Sequence, residues 1–178
     1  NLTFDSQEIL DHFADTYSEI SPQLRKAHTL PTPSANLDHR DLFDIGIISE
    51  DDVLSAIKKL RINIAPGSDF IPCHIFKTYA DVLAKPLSVI FNRSIAEGTF
   101  PDHLKTSIVS PLYKKKGSRQ EARNYRPISI IPITAKIFES IVCVRLTAFL
   151  VKSGFLHPAQ HGFRKDHSTL SALATLTR

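Results

Sequence analysis

A mostly helical α+β chain carrying one basic β-hairpin is what this 178-residue sequence predicts. Two observations lead there. In several stretches the apolar residues recur every three or four positions, as helices with one buried face require. Across residues 105–131 the period falls to two on either side of a lysine-rich segment, as in two strands joined by a long turn.

Ser6 caps a first helix that lines up Ile9, Leu10, Phe13 and Tyr17, and Ser21 to Asp38, with Pro22, Pro31 and Pro33, reads as a linker of little fixed structure. Ser49 and Asp52 form a capping box with a shortened acid, and Ile48 can staple against Val53. The helix they start buries Val53, Leu54, Ile57 and Leu60 and ends near Arg61. Ala65 to Asp69 is a turn by composition, and Pro72 suits the first position of the next helix. Leu83, Leu87, Ile90, Phe91 and Ile95 follow at helical spacing, with Gly98 as a left-handed stop.

Lys105 to Tyr113 then alternates like a strand, which Pro111 confines to an edge, and Tyr125 to Ile131 returns beside it. Their connection, Lys114 to Arg123, is polar and basic. Ile137, Phe138, Ile141, Val142, Leu146, Phe149 and Leu150 make one stripe between Thr134 and Lys152, and Gly154 ends that helix. Ser168 caps a last helix bearing Leu170, Leu173 and Leu176.

Composition excludes some classes and narrows others. No apolar run approaches the roughly 20 residues of a spanning helix, so no membrane is expected. No signal-peptide pattern is expected in the acidic first residues, and two cysteines, Cys73 and Cys143, fit an intracellular setting, nucleus or cytoplasm. The chain starts at Asn1 and has no methionine, so it is expected to be a piece of a longer reading frame. Residues 1–104 carry 9 Lys/Arg against 15 Asp/Glu, and residues 105–178 carry 13 against 3. The second part is where a polyanion would bind; a solvated basic face is the plain alternative.

Several catalytic patterns fail on inspection. Lys116-Gly117-Ser118 has the wrong order for a phosphate-cradling P-loop. Asp166, His167 and Ser168 are consecutive, and adjacent side chains cannot converge as a triad. His157 and His161 have helical spacing, but Pro158 and Gly162 break that helix and no further ligand pair accompanies them. What remains is basic residues interleaved with aromatics: Lys114, Lys115 and Lys116 at the hairpin tip, Tyr125-Arg126 on the return strand, and Phe163-Arg164-Lys165 late in the chain. Such groups neutralise phosphates while rings pack on sugars or bases.

At these residues the sequence resembles the reverse transcriptase domain of non-LTR, LINE-like retrotransposons. Ala65-Pro66-Gly67-Ser68-Asp69-Phe70-Ile71-Pro72, Gly98-Thr99-Phe100-Pro101, Asn124-Tyr125-Arg126-Pro127-Ile128-Ser129, Lys136-Ile137-Phe138-Glu139 and Gln160-His161-Gly162-Phe163-Arg164-Lys165 follow one another in the family's order. The resemblance covers residues 49–178, and residues 1–48 look like the linker that follows an upstream endonuclease. Ile64 stands where the family usually has lysine, Phe70 where it usually has glycine, and Asp166 where glycine is common.

The resemblance implies the fingers and the start of the palm of a right-hand polymerase, with the basic hairpin packed on helices. It implies RNA template, DNA primer and dNTP as partners, and a downstream palm and thumb. Arg126, helped by Lys114, would hold the dNTP phosphates, since a guanidinium fork matches phosphate oxygens. Lys105, Lys115, Lys116, Arg164 and Lys165 would touch template or primer backbone, and Tyr125 would stack or belong to the hairpin core. The family's divalent metals, Mg2+ or Mn2+, are bound by aspartates that follow this stretch, so these residues are expected to bind without catalysing. The rival expectations are a nucleic-acid-binding module of other ancestry and a decayed element remnant.

Overall fold

The computed structural model describes residues 6–27 and 42–176, with side chains at 6–19 and 42–175. Seven helices and one hairpin follow in the order α1 (Ser6–Ala27), α2 (Glu50–Lys59), α3 (Cys73–Thr78), α4 (Ala80–Ala96), α5 (Asp102–Lys105), β1 (Ile108–Tyr113), β2 (Tyr125–Ile130), α6 (Ile133–Lys152) and α7 (Thr169–Leu176) among the described residues. The α+β expectation therefore holds at the level of elements.

The core is helical. Val53, Ala56 and Ile57 from α2, Cys73 and Phe76 from α3, Ala84, Leu87 and Phe91 from α4, and Ile133, Ile137, Phe138 and Ile141 from α6 close around Ile48 as one cluster. Phe91 lies flat on Phe138, ring centroids 4.7 Å apart, and Phe100 stacks on Phe138 at 5.7 Å. Offset aromatic contacts of this kind add to the stabilisation from burial alone.

α2 starts as its sequence requires: Ser49 Oγ accepts from the Asp52 N–H at 3.1 Å, and the Asp52 carboxylate accepts from the Ser49 N–H at 2.9 Å. Both Ile48 and Val53, the residues of the expected staple, are buried. Gly98 and Gly154 take φ +61° and +68°, past the ends of α4 and α6. Arg145 of α6 ties the segment before α2 to the body, donating to the Ile45, Gly46 and Ile47 carbonyls and pairing with Asp52 at 2.8 Å.

Three expectations need correction. α1 continues through Pro22 to Ala27, where a linker is expected from Ser21 onward; residues 28–41 lie outside the described residues. Lys105 is not a strand residue: it ends the short helix α5 and pairs with Asp102 at 2.7 Å. The stripe on α6 is fully buried only at Ile137, Phe138 and Ile141; Val142, Phe149 and Leu150 are half-buried and Leu146 is exposed.

β1 and β2 pair antiparallel, with Ile108 opposite Ile130, Leu112 opposite Arg126 and Tyr113 opposite Tyr125. Pro111 lies opposite Pro127. Two prolines can face each other only where their nitrogens point outward, so the ladder runs through the alternate pairs and both outer edges are blunted. The middle of the hairpin is exposed on both strands. It is not laid along the helical body; it is held by its tip and by its roots.

Candidate nucleic-acid interface

The hairpin tip is built by local bonds. Gly117, at φ +82°, turns the chain where an added Cβ would lie 2.5 Å from the Asn124 side chain. Asn124 donates to the Ser118 carbonyl at 2.8 Å, the Lys114 N–H reaches the Asn124 carbonyl at 2.8 Å, and Tyr113 OH reaches the Gly117 carbonyl at 2.5 Å. A 3-10 turn at Ala122–Asn124 delivers the chain into β2.

Successive side chains of a strand point to opposite faces, so Tyr125 and Arg126 part company. Tyr125 faces inward. Its ring meets Phe13 of α1 edge-on at 5.1 Å and Tyr113 at 5.3 Å, and its hydroxyl donates to the Arg119 carbonyl at 2.9 Å. Arg126 lies on the other face, opposite Leu112, and is exposed. The nearest acid in sequence is already engaged, because Glu121 accepts from Arg123 at 3.1 Å and from Asn124 at 3.3 Å. Among the described residues no carboxylate pairs with Arg126.

The other expected cations fall into two groups. Lys115 and Lys116 are exposed at the tip, Lys115 with φ +58°, and among the described residues neither ammonium has a partner. Lys114, by contrast, donates to the Arg123 carbonyl at 2.6 Å, and Lys105 is held by Asp102. Arg164 reaches the His157 and Gln160 carbonyls at 3.4 and 3.3 Å, bracing the loop before α7. Lys165 is exposed, and its carbonyl accepts from His167 Nδ1 at 2.8 Å. The hairpin thus gathers Arg126, Lys115 and Lys116 as exposed cations, while Lys105, Lys114 and Arg164 already have protein partners.

Two features escape sequence reasoning. One is a cleft of about 690 Å³ between α1 and the hairpin tip, lined by Ile9, His12, Phe13, Arg119 and Tyr125 among others. Tyr17 lies beside it, with a buried hydroxyl that has no partner among the described residues and a pKa raised by burial and then by Tyr125. The aromatic spacing of α1 was readable; its docking on a residue more than a hundred positions later was not.

The second is Lys136, whose ammonium donates to the Ala65 carbonyl at 3.3 Å and whose pKa is lowered chiefly by burial. Among the described residues no group of three His, Cys, Asp or Glu could hold a metal ion. No helix among the described residues is long and apolar enough to cross a membrane.

Comparison with known proteins gives the chain its kin. It is 30% identical over 122 residues to the probable RNA-directed DNA polymerase from transposon X-element of Drosophila melanogaster, a match covering 68% of this chain and 13% of that protein. It is 27% identical over 131 residues to the probable RNA-directed DNA polymerase from transposon BS, covering 74% and 14%, and 27% identical over 125 residues to the RNA-directed DNA polymerase from mobile element jockey, covering 70% and 14%, both of the same fly. The chain therefore spans about one seventh of the length of these curated relatives. No family model matches it.

Proposed function

We propose, from the kinship of this chain to the RNA-directed DNA polymerases of non-LTR transposons, that residues 49–178 are the fingers and the start of the palm of a reverse transcriptase. In this reading residues 1–48 are the segment joining them to an upstream endonuclease, and the palm and thumb lie downstream. The segment holds substrates; the metal chemistry, with Mg2+ or Mn2+, is done by carboxylates elsewhere in the enzyme. A polymerase copying RNA onto a DNA primer would work in the nucleus or cytoplasm.

The observation that carries the proposal is the Arg126 guanidinium, exposed on the hairpin face turned away from α1 and without a carboxylate among the described residues. An unneutralised fork on a defined strand suits a triphosphate, which takes paired hydrogen bonds from it. Lys114 helps on this reading by fixing the tip through Arg123 while keeping its charge nearby. Lys115 and Lys116 meet template or primer phosphates, with Arg164, Lys165 and Lys105 as further backbone contacts. Tyr125 serves from within, holding the tip against Phe13.

Binding of the chain to an RNA template annealed to a DNA primer tests the proposal. If about six cations meet phosphates, the logarithm of the binding constant falls with the logarithm of salt at a slope of roughly −4 to −5, because each contact releases a counterion. A flat salt response would reduce the basic segment to a solvated face.

A further inference from the structure

A two-stranded hairpin is marginal by itself, and this one is exposed along its middle. What fixes its direction is found at its roots. Gly67 sits against the joint between β2 and α6: an added Cβ would lie 2.3 Å from Pro132 N and 2.5 Å from the Ile131 carbonyl carbon, both backbone atoms. Ser68 Oγ donates to the Thr106 carbonyl at 3.1 Å, just ahead of β1. Lys136, in the first turn of α6, donates to the Ala65 carbonyl.

The loop that makes these contacts is itself tied by local hydrogen bonds. Phe70 N–H returns to the Gly67 carbonyl at 3.0 Å with Phe70 at φ 54°, and Ile71 N–H bonds the Asp69 carboxylate at 3.2 Å. The next residues enter the core, where Cys73 is buried and its thiol reaches the Arg61 carbonyl at 3.3 Å. One short loop, anchored in the helical body, therefore touches both roots of the hairpin.

We infer that residues 65–69 are a clasp that sets the angle of the hairpin against the helical body, with Gly67, Ser68 and Lys136 as positioning residues for Arg126. None of the three needs to touch nucleotide. The consequence for Arg126 rests on the polymerase reading; the clasp does not. Lys136 is only half-buried, so its stem can pack while the ammonium stays near water and holds the Ala65 carbonyl. The bond to Ala65 gives the ammonium a purpose that packing does not.

The test is a distance measurement in the full chain, with spin labels on Lys116→Cys at the tip and Lys85→Cys on α4, in a Cys143→Ser background. Lys136→Met is expected to leave the melting temperature nearly unchanged while broadening the distance distribution. Gly67→Ala is expected to shift the maximum of that distribution. Should Gly67→Ala fail to fold, Ser68→Ala gives the same readout with the loss of one hydroxyl. Folded variants whose distributions coincide with wild type would overturn the clasp. Primer–template binding by unlabelled wild type is measured alongside: its absence, with the distance changes present, would remove the polymerase reading and leave the clasp standing.

Discussion

Phe70 and Asp166 stand where the resemblance gives glycine, and both hold the left-handed backbone that glycine adopts freely, at φ 54° and 61°. The turns persist although the residues that ease them are gone. For Phe70 the strain is worth roughly 1–2 kcal/mol, offset by the greater unfolded-state freedom that a glycine brings. Its side chain is 75% exposed, so little burial is at stake. Phe70→Gly is therefore expected to stabilise the chain by about 0.5–1 kcal/mol in urea unfolding, and Asp166→Gly by less, because aspartate tolerates this conformation better. Destabilisation by Phe70→Gly would mean that its ring contributes something the backbone account omits. The same scale explains why Lys114 and Lys116 behave differently: one donates to Arg123, the other has no described partner.

At the scale of elements, α2 depends on Asp52, which caps the helix and meets Arg145. The Ser49 N–H, ahead of the Ser49 hydroxyl and Arg145 and against the effect of burial, holds the Asp52 carboxyl below its usual pKa. A lowered folded pKa means stability that is present above the ordinary value of about 4 and lost as pH falls through the folded one. Asp52→Ala should cost about 1–2 kcal/mol near pH 7, from the cap and a part-exposed ion pair. Its deficit against wild type should shrink as urea unfolding is repeated toward about pH 3; a deficit independent of pH would assign the loss to packing instead. Features of this kind were legible in the sequence because they are local: the Ser49–Asp52 box, the stops at Gly98 and Gly154, and the Ser168 cap, which accepts from Ser171 N–H at 3.3 Å. Asn92 was not legible, since it bonds both the N–H and the carbonyl of Ile48, 44 positions away. Neither was Gly67, whose need for glycine is set by Pro132. Such pairs depend on how helices cross, which spacing along one helix does not encode. The outer half of α6, only partly covered, shows the converse: periodicity marks an apolar stripe but not how far its partners extend.

Across the whole molecule, an acidic first part supplies most of the helical core, and a basic second part supplies the hairpin and the loop before α7. The fold separates two of the residues singled out from sequence: Tyr125 turns inward to α1, while Arg126 turns outward. A single strand residue thus carries the central claim, that this hairpin presents a positioned phosphate-binding group and more than diffuse charge. Steady-state kinetics with varied dNTP, in a polymerase that contains these residues, tests it most directly. Arg126→Lys keeps the charge and loses the fork; with a charge-assisted hydrogen bond worth roughly 1.5–3 kcal/mol, kcat/KM for dNTP should fall about ten- to a hundredfold while primer–template affinity stays nearly constant. Lys115→Ala should do the reverse, weakening primer–template binding mildly and sparing dNTP use. An Arg126→Lys enzyme with unchanged KM and kcat would contradict the claim and remove Arg126 from the site.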